Sequence, residues 1–143
     1  MAFRVRPLRS LAGLAELVPE MVYVMCGARG ETHNRLTAAL PRARFLGFEP
    51  DEKAHELLSR NPPPGHIYYK MAVAGREETR TLYVTREPAC SSLLKPNAGF
   101  FARFTDCARQ IEVVEQRMVQ TVSLNSFLPG AGVASVDFLE LDT

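Results

Sequence analysis

The residues of this sequence that could take part in chemistry follow runs of apolar residues that are typical of buried strands. Gly27 comes directly after one such run, and Glu49 follows the next run, roughly 20 residues later. Glycine lets the backbone approach a ligand, and a carboxylate at this spacing can accept hydrogen bonds from ribose hydroxyl groups. The pair indicates a nucleoside-binding site. The structural alternatives are a tight turn at Gly27 and a carboxylate at a helix N-terminus at Glu49.

The turn after the first strand consists of Gly27, Ala28, Arg29 and Gly30. It leads into a predicted helix, whose first N–H groups are free to bind a ligand. A dinucleotide-binding turn has the pattern G-x-G-x-x-G, whereas this turn lacks the second glycine and places Glu31 where a pyrophosphate would be repelled. The sequence therefore favours an adenosine-containing cofactor other than NAD.

Two further positions at strand ends are candidates for the same site. Met71 and Ala72 lie near the end of a third predicted strand and could line an adenine pocket, although apolar residues at strand spacing more often belong to the core. Asp142 ends the last predicted strand, where a carboxylate would face the same crevice. Its alternative is a solvated residue without a role in binding.

A repeated strand-turn-helix pattern is predicted to position these residues. This order is typical of the right-handed, doubly wound start of a parallel sheet. Asp51 is expected to cap a helix whose buried face carries Ala54, Leu57 and Leu58. The elements predicted for this part are strands over 21–26, 44–49 and 66–73 and helices over 10–18, over 36–40 and after residue 51.

The second part of the sequence has a different pattern. Segments 80–85 and 111–122 predict strands that pair antiparallel, because no helix of normal length separates them. A short helix is predicted over 124–128 and a final strand over 136–142. The loop between the antiparallel strands carries three aromatic residues, assigned to a small satellite core in preference to a lid over the cofactor. They are Phe100, Phe101 and Phe104.

The composition describes one ordinary domain and excludes several classes of protein. Among 143 residues, 17 Lys+Arg against 16 Asp+Glu give a net charge of +1, which offers no basic surface for nucleic acid. No apolar run approaches the ~20 residues that span a bilayer, so no membrane partner is expected. The three cysteines and three histidines lack the spacing of a metal site or a disulfide framework. The sequence thus predicts a reduced, cytoplasmic protein without a metal.

Several segments, taken in order, resemble the FkbM-type methyltransferases. The resemblance covers about residue 22 to the last residue, and the order of its Gly-Phe-Glu-Pro-Asp, Ser-Ser-Leu and Asp-Phe-Leu-x-x-Asp motifs is fairly specific. The segments that carry it are 22–30, 47–51, 72–75 with the strand 82–84, 91–93, 123–128 and 136–142.

The resemblance implies a Rossmann-like class I methyltransferase fold, with S-adenosylmethionine as cofactor and O-methylation of a small molecule or a sugar hydroxyl. It also implies one incomplete domain over 1–143, truncated after the fourth core strand, with the acceptor-binding half outside this sequence. Glu49 would hold the ribose, Met71 and Ala72 would lie near the adenine, and Asp142 is the candidate catalytic base. The implied cofactor-binding residues are Gly27, Ala28, Arg29, Gly30, Glu49, Pro50, Met71 and Ala72.

Three positions depart from the family pattern. Met25 stands where an acid is usual, Asn125 where an aspartate is common, and Glu140 where a lysine is usual. These departures motivate an alternative function, a non-catalytic cofactor-binding or protein-interaction module with a degenerate methyltransferase fold.

The last strand is predicted to lie beside the first, which is central in the sheet. If no further strand pairs with it, its apolar residues form an exposed edge, which proteins in water avoid. A homodimer through this edge is therefore expected. The apolar residues are Phe138, Leu139 and Leu141.

Overall fold

The computed structural model describes residues 21–29, 42–105 and 107–142. The helices predicted over 10–18 and 36–40 lie outside these residues, as do Gly30 and Glu31. The described residues form an α/β structure with one parallel sheet and one mixed sheet.

The described residues form seven strands, four helices and one 3₁₀ turn. The strands are β1 (Val22–Cys26), β2 (Arg44–Phe48), β3 (His66–Tyr69), β4 (Ala72–Val73), β5 (Glu78–Thr85), β6 (Val113–Val122) and β7 (Phe138–Leu141). The helices are α1 (Glu52–Arg60), α2 (Ala98–Phe101), α3 (Cys107–Gln110) and α4 (Leu124–Gly130), and a 3₁₀ turn spans Pro88–Cys90. Among the described helices, none is both long and apolar enough to cross a membrane.

The parallel sheet has the strand order β3-β2-β1-β7. Every neighbouring pair of strands is parallel, and β1 lies between β2 and β7, as the sequence predicts. Because the strands run in one direction, their carboxyl ends lie at one edge of the sheet, which we call the carboxyl edge. Gly27, Glu49 and Asp142 directly follow β1, β2 and β7 and therefore lie at this edge.

Alternate residues of the central strands pack on opposite faces of the parallel sheet. Val24 and Phe48 belong to a buried cluster on one face, together with Val122 at the end of β6. Tyr23 belongs to a cluster on the other face, against which Leu58 of α1 packs. The unbroken apolar runs of β1 and β2 are explained by this burial on two faces.

The mixed sheet has the order β4-β6-β5. β5 and β6 are antiparallel, which confirms the predicted pair, with an irregularity between Val84 and Thr85. The single strand predicted over 66–73 is wrong, because the chain divides there into β3 of the parallel sheet and β4 of the mixed sheet. The amide of Met71 donates to the carbonyl of Tyr69 at 2.9 Å in a tight turn between them. An alternating pattern does not reveal a turn that keeps the alternation on both sides.

Helix α1 begins as predicted, but its buried face is narrower than expected. A carboxylate oxygen of Asp51 accepts a hydrogen bond from the amide of Ala54 at 2.9 Å and caps the helix. Ala54 is buried and Leu58 packs against the sheet, whereas Leu57 is 67% exposed. Ala54 and Leu58 are four residues apart and form one stripe, and Leu57 lies beyond its margin.

The three aromatic residues of the 90–106 segment form a surface cluster. The ring centroids of Phe100 and Phe101 are 5.3 Å apart, and those of Phe100 and Phe104 are 5.6 Å apart. Phe100 and Phe104 nevertheless remain 46% and 50% exposed. The prediction of a satellite core is therefore wrong, because four-residue helices here offer too little surface to bury the rings.

Candidate functional site

A cleft lies between the carboxyl edge of the parallel sheet and the segment that follows β5. It consists of a larger cavity of about 280 Å³ and a smaller one of about 60 Å³. We call the two together the carboxyl-edge cleft, because residues of both turns after β1 and β2 line it. The lining residues common to both cavities are Gly27, Pro50, Leu82 and Ser91.

Gly27 forms the turn at the end of β1 and must be glycine for two reasons. Its φ is +83°, and a Cβ atom there would lie 1.8 Å from the carbonyl oxygen of Asp142. The amides of Gly27 and Ala28 both donate to the carbonyl of Phe48, at 2.9 and 3.0 Å. The hydrogen-bonding capacity of these two amides is therefore used within the fold, and other atoms of the turn line the cleft.

Glu49 is the buried carboxylate of the cleft. It is 4% exposed and lines the smaller cavity. One carboxylate oxygen accepts a hydrogen bond from the amide of Asp51 at 2.8 Å. Burial raises the pKa of Glu49 above its ordinary value, although the Asp51 amide and the positive charge of Arg29 act in the opposite direction. The carboxylate is thus held in a fixed position at the wall of the cavity.

Asp51 joins three parts of the structure beside Glu49. Its carboxylate pairs with Arg29 of the β1 turn at 2.7 Å and also with Arg117 of β6. Burial alone would raise the pKa of Asp51, but the Ala54 amide and the two guanidinium groups hold it below its ordinary value. Arg117 also pairs with Glu115. The sequence carried no signal for Arg117, since it contacts Asp51 across 66 positions of the chain.

The wall of the larger cavity is mainly apolar. Phe48 and Ala72 contribute to it from the two sheets, and Leu82 of β5 is buried beside them. The residues at 91–94 close this side. They are held there because Tyr83 and Ser92 exchange backbone hydrogen bonds at 2.9 and 3.2 Å.

The structure brings most of the predicted site residues together. The ones that line the carboxyl-edge cleft are Gly27, Arg29, Glu49, Pro50, Ala72 and Asp142. Ala28 instead packs in the core cluster around Tyr23. Met71 lines a separate groove of about 610 Å³ beside Tyr69 and Phe127. Gly30 lies outside the described residues.

The cleft is also lined by residues that were not predicted from the sequence as site residues. They include Arg80, Leu82, Pro88, Ala89 and the segment 91–94. Ser91 accepts a hydrogen bond from the amide of Thr85 at 3.1 Å, which fixes the segment against the end of β5. The sequence signal for the segment 91–94 is the Ser-Ser-Leu motif. This motif contributed to the family resemblance, but no role in the site was predicted for it.

The carboxylates that line the smaller cavity are groups that can bind hydroxyl-bearing or cationic ligands. Glu49 and Asp142 line the same small cavity, where they can accept hydrogen bonds and attract positive charge. Among residues 21–29, 42–105 and 107–142, no group of three His, Cys, Asp or Glu is placed to hold a metal ion. Burial raises the pKa of the Cys26 thiol to about 11, so this thiol is un-ionised at neutral pH.

The described residues form an α/β fold with a cleft at the carboxyl edge of its parallel sheet, which is where open α/β sheets generally bind ligands. Comparison with protein-family models, with curated proteins and with solved structures found no match to this chain. The residues of the cleft are therefore the basis on which a function is proposed.

Proposed function

We propose that the carboxyl-edge cleft binds S-adenosylmethionine and that this chain carries the cofactor-binding part of a methyltransferase. The fold proposed is the Rossmann-like class I fold, and the acceptor is a hydroxyl group of a small molecule or a sugar. The observation that carries the proposal is Glu49, a buried carboxylate directly after β2 that lines the cleft beside the β1 turn. The order of motifs along the sequence supports the same function.

The residues of the cleft fit the parts of this cofactor. Glu49 can accept hydrogen bonds from ribose hydroxyl groups. Ala72, Phe48 and Leu82 offer an apolar wall for the adenine ring. Asp142 lines the smaller cavity together with Glu49 and Asp51, whereas Arg29 contributes one cation, and this excess of carboxylates favours a positively charged ligand. Met71 lines a different groove, and we therefore assign the adenine contact to Ala72 without it.

The chemistry asks little of the protein beyond positioning. S-adenosylmethionine supplies a methyl group on a positively charged sulfur, and transfer to a hydroxyl oxygen leaves the S–C electron pair on sulfur while the hydroxyl proton goes to a base. The chain has to orient the reactants, exclude water and accept that proton. Asp142, exposed at the mouth of the smaller cavity, is the residue proposed for the last task.

The second candidate function is a non-catalytic cofactor-binding or protein-interaction module. Two of the residues that depart from the family pattern have structural contacts, which favours this alternative. Met25 is fully buried in the core, and Glu140 accepts a hydrogen bond from the hydroxyl of Tyr23. Positions used for packing in this way are not available to a substrate.

Isothermal titration with S-adenosylmethionine and S-adenosylhomocysteine tests the proposal. We expect both to bind, and Glu49→Gln to weaken binding by about tenfold or more, because a hydrogen bond to a charged group contributes about 1.5–3 kcal/mol. The glutamine can still accept the hydrogen bond from the Asp51 amide. Glu56→Gln is the matched control, since Glu56 is exposed on α1 and lines neither cavity of the cleft.

The absence of binding to the unchanged protein would overturn the cofactor proposal. Binding that Glu49→Gln and Glu56→Gln affect equally would remove the role of Glu49. NADH serves as the comparison ligand, and a protein that bound NADH in preference to S-adenosylmethionine would reverse the order of the two cofactors.

A further inference from the structure

A further cavity of about 360 Å³ adjoins the carboxyl-edge cleft. Asp142 and Ala89 line both this cavity and the smaller part of the cleft. Ser92 and Leu94 line both this cavity and the larger part. The further cavity and the cleft therefore share a wall formed by part of the 89–94 segment, and Asp142 is the carboxylate that lines both.

The lining of the further cavity combines an apolar body with few charged groups. Leu94, Phe101 and the buried Ile111 provide apolar surface. Lys95 and Asp142 provide one positive and one negative charge. This composition is typical of a pocket for a small organic ligand with one or two polar ends.

Lys95 is available to such a ligand. Its ammonium takes part in none of the ion pairs found among the described residues. Lys95 is exposed and lines the cavity, so its ammonium can pair with an anionic group of a ligand there.

Asp142 is fixed at the junction of the two spaces by its backbone. Its amide donates to the carbonyl of Cys26 at 2.9 Å, which continues the pairing of β7 with β1. Its side-chain charge also reaches the further cavity. The pKa of Cys90, which lines that cavity, is raised first by burial and then by the nearby groups Glu87, Cys107 and Asp142, in that order.

We infer that this further cavity is the acceptor site and that the acceptor is a small hydroxy acid with an aromatic or other apolar body. Its carboxylate pairs with Lys95, its body packs against Leu94 and Phe101, and its hydroxyl group lies toward Asp142. This inference rests on the proposed function of the cleft. It extends that function by naming the class of substrate and by placing acceptor-binding residues within this chain.

Asp142 acts as the base in this arrangement. As the acceptor oxygen forms its bond to the methyl carbon, the S–C bond breaks with its electron pair on sulfur, and the hydroxyl proton passes to the Asp142 carboxylate. The charges balance, because a positive sulfonium and a carboxylate become a neutral thioether and a carboxylic acid. No oxidant, reductant or metal is needed.

Thiol footprinting with 4-hydroxybenzoate tests the acceptor site. Cys90 lines the cavity, whereas Cys107 does not, and both thiols are partly exposed. We expect saturating 4-hydroxybenzoate to slow alkylation of Cys90 by iodoacetamide about fivefold or more, a protection worth about 1 kcal/mol. The rate at Cys107 should stay unchanged, and mass spectrometry of the two peptides gives both rates in one sample.

Two variants and a neutral probe identify the role of Lys95. Lys95→Met should raise the concentration of 4-hydroxybenzoate that half-protects Cys90 by about fivefold, as expected for the loss of a partly exposed ion pair. It should leave protection by 4-hydroxybenzamide unchanged, because that probe has no charge. Lys53→Met is the matched control, since Lys53 is an exposed lysine on α1 away from the cavity.

The outcomes separate this inference from the cofactor proposal when S-adenosylhomocysteine is titrated into the same protein. If S-adenosylhomocysteine binds and Cys90 is not protected, or Cys107 is protected equally, the acceptor site is overturned and the cofactor site stands. If Cys90 is protected in a protein that does not bind S-adenosylhomocysteine, the cavity binds acids but its role as acceptor site is overturned. Protection that is equal in Lys95→Met and Lys53→Met would overturn the pairing with Lys95.

Discussion

Glu49 has a structural contact as well as a proposed binding role. Its carboxylate accepts a hydrogen bond from the amide of Asp51, and the burial of Glu49 favours the protonated form of its carboxyl group. The folded protein therefore holds this proton more tightly than the unfolded chain does. The stability contributed by Glu49 is fully present below the unfolded pKa of about 4.3 and is lost as the pH rises through the raised folded pKa.

We therefore expect Glu49→Gln to be at least as stable as the unchanged protein at neutral pH. The advantage of the variant should grow as the pH rises from about 4 toward neutrality, because only the unchanged protein has to ionise a buried carboxyl group. Urea denaturation at a series of pH values measures this difference. If the free energy of unfolding of Glu49→Gln fell relative to that of the unchanged protein over this range, the raised pKa of Glu49 would be contradicted.

The residues of the candidate site were predictable where they directly follow a strand. Gly27, Glu49 and Asp142 each follow a strand of the parallel sheet, so the position alone places them at the carboxyl edge. The direction of a side chain within a turn is not marked in this way. Ala28 packs into the core and Met71 lines another groove, and both lie in turns, where no strand or helix period fixes the direction of a side chain.

The elements that the sequence predicted best carry strong local signals. β1 and β2 are unbroken apolar runs, and α1 has a capping aspartate and a proline-rich stop. The division of residues 66–73 into β3 and β4 depends on which sheet each half joins. That choice is made by partners far along the chain, so local periodicity could not indicate it.

Asp51 links helix α1 to both the β1 turn and β6, and its two roles can be separated by substitution. Asp51→Asn keeps a good capping residue and loses the pairs with Arg29 and Arg117, at a cost of up to about 1 kcal/mol because these groups are partly exposed. Asp51→Ala should cost about 1 kcal/mol more, since it also removes the cap. Urea denaturation of both variants at neutral pH gives the comparison.

The pH dependence of Asp51 has the opposite sign to that of Glu49. Its folded pKa is lowered, so its contribution is present above the unfolded pKa of about 3.9 and is lost as the pH falls through the folded pKa. The difference in the free energy of unfolding between Asp51→Asn and the unchanged protein should therefore become smaller at acidic pH. Equal stabilities for Asp51→Asn and Asp51→Ala at neutral pH would show that the cap contributes nothing.

At the scale of the whole described structure, β7 is an edge strand with exposed apolar side chains. Phe138, Leu139 and Leu141 are 45%, 47% and 66% exposed. Unpaired backbone groups beside apolar side chains favour pairing with another strand. We therefore expect the protein to self-associate through β7, as the sequence suggests.

Size-exclusion chromatography with light scattering measures this association. Leu139→Lys should shift the protein toward the monomer, because a charge on an edge strand opposes pairing. Leu57→Lys is the matched control, since Leu57 is equally apolar and exposed on α1, away from β7. A clean monomer at high concentration of the unchanged protein would contradict the expectation.

The site as a whole was less predictable than its parts. The carboxyl-edge cleft needs the mixed sheet and the 91–94 segment to close over the carboxyl edge, and these contacts join residues distant in the sequence. The motif order indicated which residues belong together. It gave no measure of the space between them, which depends on how the two sheets pack.

The fit of Gly27 against the Asp142 carbonyl has a consequence for the order of assembly. Strand β1 pairs along one side with β7, the last described strand. In a chain emerging from the ribosome, that side of β1 is therefore unpaired until β7 has been synthesised. Pairing across such a separation is slow, because the intervening loop must close first. The carboxyl edge with its candidate site is therefore completed late in folding.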